Sequence, residues 1–230
     1  MEIAALVVAI VSALGAIGAV WYARRSDRSA ARSAAAAATT AALDMQRRNA
    51  ELTPRFRITC EPSNPGSPAL RLGVFLSGPP ELERLDAMAV TIRDDHPWRG
   101  QGTPLAGGPT PEEVAAQIWG PYRFIPGTGP GADPVRGIPG ADPTGRTTPT
   151  GGLPVGEELP FFLEPTHPPS WSHQPQDAWL KERGTVVRLR LECRRAGWKP
   201  WILTCEIDTT GDGLSLVEIR EEGDRRSSDA

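Results

Sequence analysis

The chain has 230 residues, a net charge of −3, and three cysteines. Three thiols with no Cys-x-x-Cys pair exclude a disulfide scaffold and the common zinc-ribbon spacings. The charge is uneven: residues 23–52 carry six Arg against Asp27, Asp44 and Glu51, whereas 53–230 carry nineteen basic residues against twenty-four acidic ones. A net acidic domain lacks the basic face of a dedicated nucleic-acid binder, so no nucleic-acid partner is expected. Only two of the twenty-five basic residues are Lys. With the abundant Ala, this is the composition of a high-GC bacterial genome.

Ile3 to Tyr22 is a run of twenty residues without a charge. At 1.5 Å per residue such a helix crosses a hydrocarbon core of about 30 Å. Trp21 and Tyr22 stand where an interfacial aromatic belt belongs. A cleaved signal peptide fits less well, because Met1-Glu2 offers no basic n-region and the apolar run is long. Arg24, Arg25, Arg28 and Arg32 flank the C-terminal end. The positive-inside rule therefore sets the N-terminus outside and the remainder in the cytoplasm, and anionic headgroups favour the same arginines. Trp21, Tyr22, Arg24, Arg25, Arg28 and Arg32 are thus the expected membrane-interface residues, and the lipid bilayer is the expected partner. Ser12 with Ala16, and Gly15 with Ala19, repeat small residues at four-residue spacing, which permits weak self-association of the anchor helix.

Residues 23–53 form an Ala/Arg-rich stalk. Residues 23–52 hold no Gly or Pro and consist of strong helix formers, so the helix continues out of the membrane until Pro54 stops it. Glu2 to Leu52 as one helix would span about 75 Å. Leu43, Met45 and Leu52 are the stalk's large apolar side chains. A solvated spacer is expected, with a coiled coil only in a weak, Ala-based form.

From Pro54 the apolar period changes to two. Phe56, Ile58 and Cys60 alternate with Arg57 and Thr59; Leu70, Leu72, Val74 and Leu76, then Met88, Val90 and Ile92, then Val187, Leu189 and Leu191, and Trp201, Leu203, Cys205 and Ile207 likewise take every second position, the pattern of strands with one buried face. Ala196-Gly197 turns Thr185–Arg194 onto Trp198–Asp208 as an antiparallel hairpin. Weaker strands are expected near Ile118–Ile125, Leu159–Leu163 and Leu214–Ile219. Helices are expected at Pro111–Gln117, with Pro at its start and Glu112 and Glu113 suiting the dipole, and at Gln176–Arg183, ended by Gly184. Residues 126–156 are Pro/Gly-rich and poor in large apolar residues, and are expected as a long mobile loop. Within them Pro130-Gly131-Ala132-Asp133-Pro134 recurs as Pro139-Gly140-Ala141-Asp142-Pro143, too short an echo for a repeat fold. The tail, 221–230, is polar and expected to be disordered. The fold class is therefore mainly β: an antiparallel β-sandwich-like domain over 54–220, preceded by one long N-terminal helix made of a transmembrane segment (1–22) and the stalk.

Few residues suggest chemistry. His167 and His173 lie six apart near Glu164 and Asp177, but in a Pro-rich loop without the fixed convergence a metal needs. Asp94-Asp95-His96 reads as a polar strand end before Pro97. Asp208 to Gly213 resembles a calcium loop briefly and fails, because Thr210 and Ile219 occupy ligand positions. A nucleophile elbow, a P-loop and a dinucleotide fingerprint are absent. No catalytic, cofactor-binding or metal-binding residue is assigned, and no cofactor is expected. Trp98, Trp119, Trp171, Trp179, Trp198 and Trp201 serve either as core and loop pins or as an exposed binding face.

The segments Leu85 to Asp94, Trp119-Gly120-Pro121-Tyr122-Arg123-Phe124 and Val187 to Trp201 resemble uncharacterised actinobacterial proteins with an N-terminal membrane anchor. The resemblance covers most of 54–208. It implies a shared β-rich C-terminal domain, with no activity and no functional residues to carry over. The expectation is a non-enzymatic, membrane-tethered interaction module of unknown partner, single-pass in the cell membrane, its β domain cytoplasmic. The alternatives are an extracytoplasmic domain on a signal anchor that binds an envelope glycan or peptide, and a hydrolase whose site the sequence does not display. The full-length chain is expected to stay with membranes after an alkaline wash, and deletion of residues 2–22 to move it to the soluble fraction; a soluble full-length chain would refute the anchor.

Overall fold

The computed structural model describes residues 33–94, 108–133, 135 and 139–210, together with the backbone of 220–221. The chain divides into two units, with the boundary between Glu51 and Leu52. The expected membrane span, and with it Trp21, Tyr22, Arg24, Arg25, Arg28 and Arg32, lies outside the described residues. Among the described residues no helix is long and apolar enough to cross a membrane.

In the first unit, residues 33–51 form a helix, α1. The Ala run supplies the propensity. Thr39 and Thr40, poor helix formers, turn their hydroxyls back to the carbonyls of Ala35 and Ala36 at 2.9 and 3.1 Å. Arg47 and Glu51 pair one turn apart at 3.0 Å. Leu43 and Met45 are 61% and 65% exposed, so α1 has no buried apolar stripe of its own.

The second unit is mainly β, and its sheets are antiparallel. One sheet runs β1-β2-β8-β5, from Arg55–Pro62, Leu70–Gly78, Glu158–Pro165 and Tyr122–Phe124. The other runs β11-β10-β9-β4-β6, from Arg220–Glu221, Trp201–Asp208, Val186–Arg194, Ala87–Ile92 and Thr147–Thr150. A two-residue ladder joins β3 (Arg84–Leu85) to β7 (Leu153–Pro154). Successive side chains of a strand point to opposite faces, and the buried positions follow: Phe56, Ile58 and Cys60 on β1, Met88, Val90 and Ile92 on β4, Val187 to Cys193 at alternate positions on β9, and Trp201 to Ile207 likewise on β10. Residues from both large sheets enter one apolar cluster. The β9–β10 hairpin has the expected partners, with Leu191 opposite Leu203 and Cys205 opposite Leu189.

Polar side chains organise the outer faces. Arg71 on β2 bridges Glu61 on β1 and Glu158 on β8 at 2.6 and 2.9 Å. Beside it Gly73 leaves the room: a Cβ there would stand 2.6 Å from both the Thr59 hydroxyl and the Glu158 carboxylate.

The 126–156 segment differs from the expected loop. Thr147–Thr150 is β6, paired with β4, and Leu153–Pro154 is β7. Its core contributions are small or polar: Ala141, Thr148 and Thr150 are buried, beside a fully buried Leu153. No stretch of large apolar residues announces such a strand; β4 supplies the apolar partner and Thr150 bonds back to the Met88 carbonyl at 3.1 Å. Both copies of the Gly-Ala-Asp echo form Asx turns, Asp133 accepting from the Val135 amide at 3.0 Å and Asp142 from the Thr144 amide at 2.9 Å. Their surroundings diverge, for Val135 is 96% exposed while Ala141 is buried. The expected strand at 214–219 lies outside the described residues, and so does most of the polar tail; Arg220–Glu221 adds a short rung to β10.

Leu191 is fully buried and faces Val90 and Leu203 on either side. Leu191→Ala is expected to cost about 2–5 kcal/mol in chemical denaturation. Thr204→Ala, on the other face of the same hairpin, is expected to stay within about 0.5 kcal/mol.

Candidate functional site

A groove of about 300 Å³ lies between α2 (Pro111–Ala116) and the 166–171 segment that follows β8. Its polar lining includes Glu113, Gln117, Arg123, Thr144 and His167, and Trp171 adds an indole.

Local sequence builds the first wall. Thr110 caps α2 with a reciprocal box: its hydroxyl accepts from the Glu113 amide at 3.2 Å, and the Glu113 carboxylate accepts from the Thr110 amide at 2.8 Å. The short helix then depends on tertiary help at its other end. Arg146 donates from Nη2 to the carbonyls of Ala115 and Gln117 at 3.1 and 3.0 Å, and from Nη1 to the carboxylate of buried Asp94 at the end of β4. One guanidinium thus ties the helix C-terminus to the five-stranded sheet.

Arg146 is itself aimed by the preceding turn. Asp142 accepts four hydrogen bonds: the Thr144 amide and hydroxyl at 2.9 and 2.6 Å, the Arg146 amide at 3.1 Å and the Thr147 amide at 2.8 Å. Partial burial pushes this carboxyl up, and the four donors outweigh burial and hold it below the usual carboxylate range. Gly145, at φ +74°, closes the turn against β5, where a Cβ would meet the Phe124 carbonyl at 2.2 Å.

The second wall is stapled to the first and to the floor. Gln117 Nε2 donates across the groove to the His167 carbonyl at 3.1 Å. Thr166 is buried; its hydroxyl donates to the Gly120 carbonyl at 2.6 Å and accepts from Trp179 Nε1 at 3.0 Å. Gln176, at the start of α3 (Gln176–Arg183), donates to the Thr166 carbonyl at 2.8 Å, and its Oε1 lies 3.0 Å from His167 Nδ1. With the amide oxygen as acceptor, Nδ1 carries a proton and donates it to Gln176. Arg123 on β5 and Glu164 on β8 face each other in register and pair at 2.7 Å. That pairing neutralises the floor.

Among the described residues no cysteine is activated as a nucleophile. Cys60, Cys193 and Cys205 are buried free thiols. Burial pushes them up to about 11, 12 and 12, far from thiolate at neutral pH. No group of three or more His, Cys, Asp or Glu could hold a metal among the described residues. His167 is engaged by Gln176 and stands in the groove wall, while His173 is exposed in the loop beyond. Asp94 serves Arg146, and Asp95 and His96 lie outside the described residues. Asp208 takes the Thr210 amide and hydroxyl at 2.9 and 2.7 Å in another Asx turn. Trp119, Trp179 and Trp201 are buried, Trp171 and Trp198 are half-buried with Trp171 in the groove lining, and Trp98 lies outside the described residues. The sequence signalled α2 through its Pro and acidic first turn; nothing in it marked Gln117, Thr166 or Arg146, which reach His167, Gly120 and Asp94 across 50, 46 and 52 residues of chain.

Because the Asp142 carboxyl is held below its unfolded value, it contributes stability above the ordinary carboxylate range and loses it as pH falls through that range. Between about pH 5 and pH 2 the wild type is expected to lose more stability than Asp142→Asn, as read from denaturation midpoints along a pH series. Equal slopes would show that the turn's hydrogen bonds do not favour the ionised form.

No family model, curated protein or solved structure matches the chain.

Proposed function

We propose that this chain is a non-enzymatic binding module tethered to the cell membrane by a single N-terminal span, with its β domain on the cytoplasmic side. We also take the two large sheets as the halves of a β-sandwich, since both direct their alternate apolar residues into one cluster. The observation that carries the binding role is the groove between α2 and 166–171. Gln117, Thr166 and His167 in its walls are held by hydrogen bonds to backbone or amide partners, so a partner meets a surface already ordered, and binding costs less conformational entropy. The floor pair Arg123–Glu164 is internally neutralised, and the groups left to contact a ligand are amides, hydroxyls, an imidazole, one indole and the Glu113 carboxylate. That lining suits a peptide segment or loop of a protein partner. Anchor and orientation rest on the apolar run and the arginines behind it.

A second reading reverses the topology and takes an envelope glycan or peptide in the same groove. The half-buried Trp171 beside neutral hydrogen-bonding groups favours it, because an indole offers a large amphipathic contact at low entropic cost. A reporter fused after Ala230 separates the two. Activity of a cytoplasm-dependent reporter supports the first, and activity of an export-dependent one supports the second. For the binding role, the detergent-extracted full-length chain is compared with Trp171→Ala and with Ser170→Arg, which fills the groove from an exposed position. Recovery of a specific partner is expected to fall about tenfold or more in both variants; equal recovery would remove the groove from the account.

A further inference from the structure

The groove assigned to binding carries one charge that the fold leaves unmatched. Glu113 lines it. The Glu113 Oε2 accepts from the Thr110 amide at 2.8 Å, and no basic side chain pairs with this carboxylate among the described residues. The arginines at the groove are already matched. Arg123 sets Nε and Nη2 on the Glu164 carboxylate at 2.8 and 2.7 Å, and Arg146 serves Asp94. Glu112, beside Glu113, is exposed. The Asp142 carboxyl, which takes the Thr144 amide and hydroxyl, is held ionised at neutral pH. The surplus charge around the groove is negative, and a cation is drawn to it.

Trp171 supplies a second element. It lines the same groove and is half-buried. The Ser172 amide donates to the Pro169 carbonyl at 2.8 Å, which closes a turn around Ser170 and Trp171, and Pro169 is buried. The indole is therefore presented on an ordered turn. An indole face attracts a cation, and a carboxylate in the same groove accepts the hydrogen bonds of the cation's N–H groups. The space, about 300 Å³, admits one long side chain with the backbone that carries it.

We propose that the groove recognises an arginine side chain on an extended segment of a partner protein, its guanidinium stacked on Trp171 and hydrogen-bonded to Glu113. Arginine suits the pair better than lysine. The guanidinium is planar and weakly hydrated, so it lies on a ring while its in-plane N–H groups reach a carboxylate; an ammonium is a compact, strongly hydrated point charge. Both recognising groups are held before the partner arrives, Glu113 by its capping box and Trp171 by its turn. This inference rests on the groove being the binding site and goes beyond it by naming the group bound. It does not rest on the membrane topology.

The test uses the detergent-extracted full-length chain and labelled synthetic peptides, read by fluorescence anisotropy. One peptide is Gly-Pro-Arg-Pro-Gly, its prolines keeping it extended. Its twins carry citrulline, the neutral isostere, or lysine at the centre. The arginine peptide is expected to bind about tenfold tighter than the citrulline peptide. Glu113→Gln keeps the capping box, because Gln serves at that position as Glu does. It is expected to bring the arginine peptide down to the citrulline level and to leave the citrulline affinity unchanged. Equal binding of the arginine and citrulline peptides, with both weakened by Trp171→Ala, overturns the recognition of a cation and leaves the groove as the binding site. Lysine bound as tightly as arginine overturns the choice of guanidinium. Binding of no peptide, or binding untouched by Trp171→Ala and Ser170→Arg, overturns the proposal together with the role of the groove.

Discussion

The second unit depends on one constraint: a strand whose alternate residues are apolar must bury that face against another. β1 and β2 on one sheet, and β4, β9 and β10 on the other, all meet it in one cluster, in which Ile58, Leu72, Val74, Val90, Leu189 and Leu203 are fully buried. At about 25 cal/mol per Å² of apolar surface removed from water, such packing is the dominant favourable term. Because a one-residue slip would turn every one of these side chains to solvent, the same burial sets the register of the β9–β10 and β1–β2 hairpins. The ion pairs on the outer faces, such as Arg71 with Glu61 and Glu158, follow from that register more than they determine it.

The groove obeys a different logic. It sits where strands end and backbone groups lose their ladder partners, so its shape is set by polar staples. Arg146 ends a short helix that could not stand alone, Asp142 sets the turn from which Arg146 reaches, and Thr166 links the Gly120 carbonyl to the Trp179 indole. The Arg146 and Thr166 staples each reach a buried side chain, Asp94 and Trp179, as well as backbone carbonyls. Arg183 stands apart because its staple is incomplete: two indole faces meet its charge while two of its donors have no partner.

Legibility in the sequence divides along the same line. The strands with clean alternation were readable with close bounds: 56–60, 70–76, 88–92, 187–191 and 201–207 all lie within observed strands. The helix at Gln176–Arg183 was readable because Gly184 ends it, adopting φ +72° at its C-cap. β6 was not, since Thr147-Thr148-Pro149-Thr150 has no apolar alternation and becomes a strand only because β4 offers an edge. The polar groove residues were not readable either. Gln117, Arg146 and Thr166 look like any surface residues until chain reversal brings their partners to them.

The amino-acid sequence by itself determined the mainly β character of the region after Pro54, the places of its principal strands and helices, and the helical character of the Ala-rich stretch before it. These are local properties, carried by apolar period, propensity and caps acting over a few residues. Only the tertiary structure decided the order of strands within each sheet, the recruitment of the Pro/Gly-rich segment into β6 and β7, the groove, and the burial of Arg183 between two indoles. Those depend on contacts between residues far apart in the chain, where the energy of a pairing is a property of the place the partners meet and is written in neither partner alone.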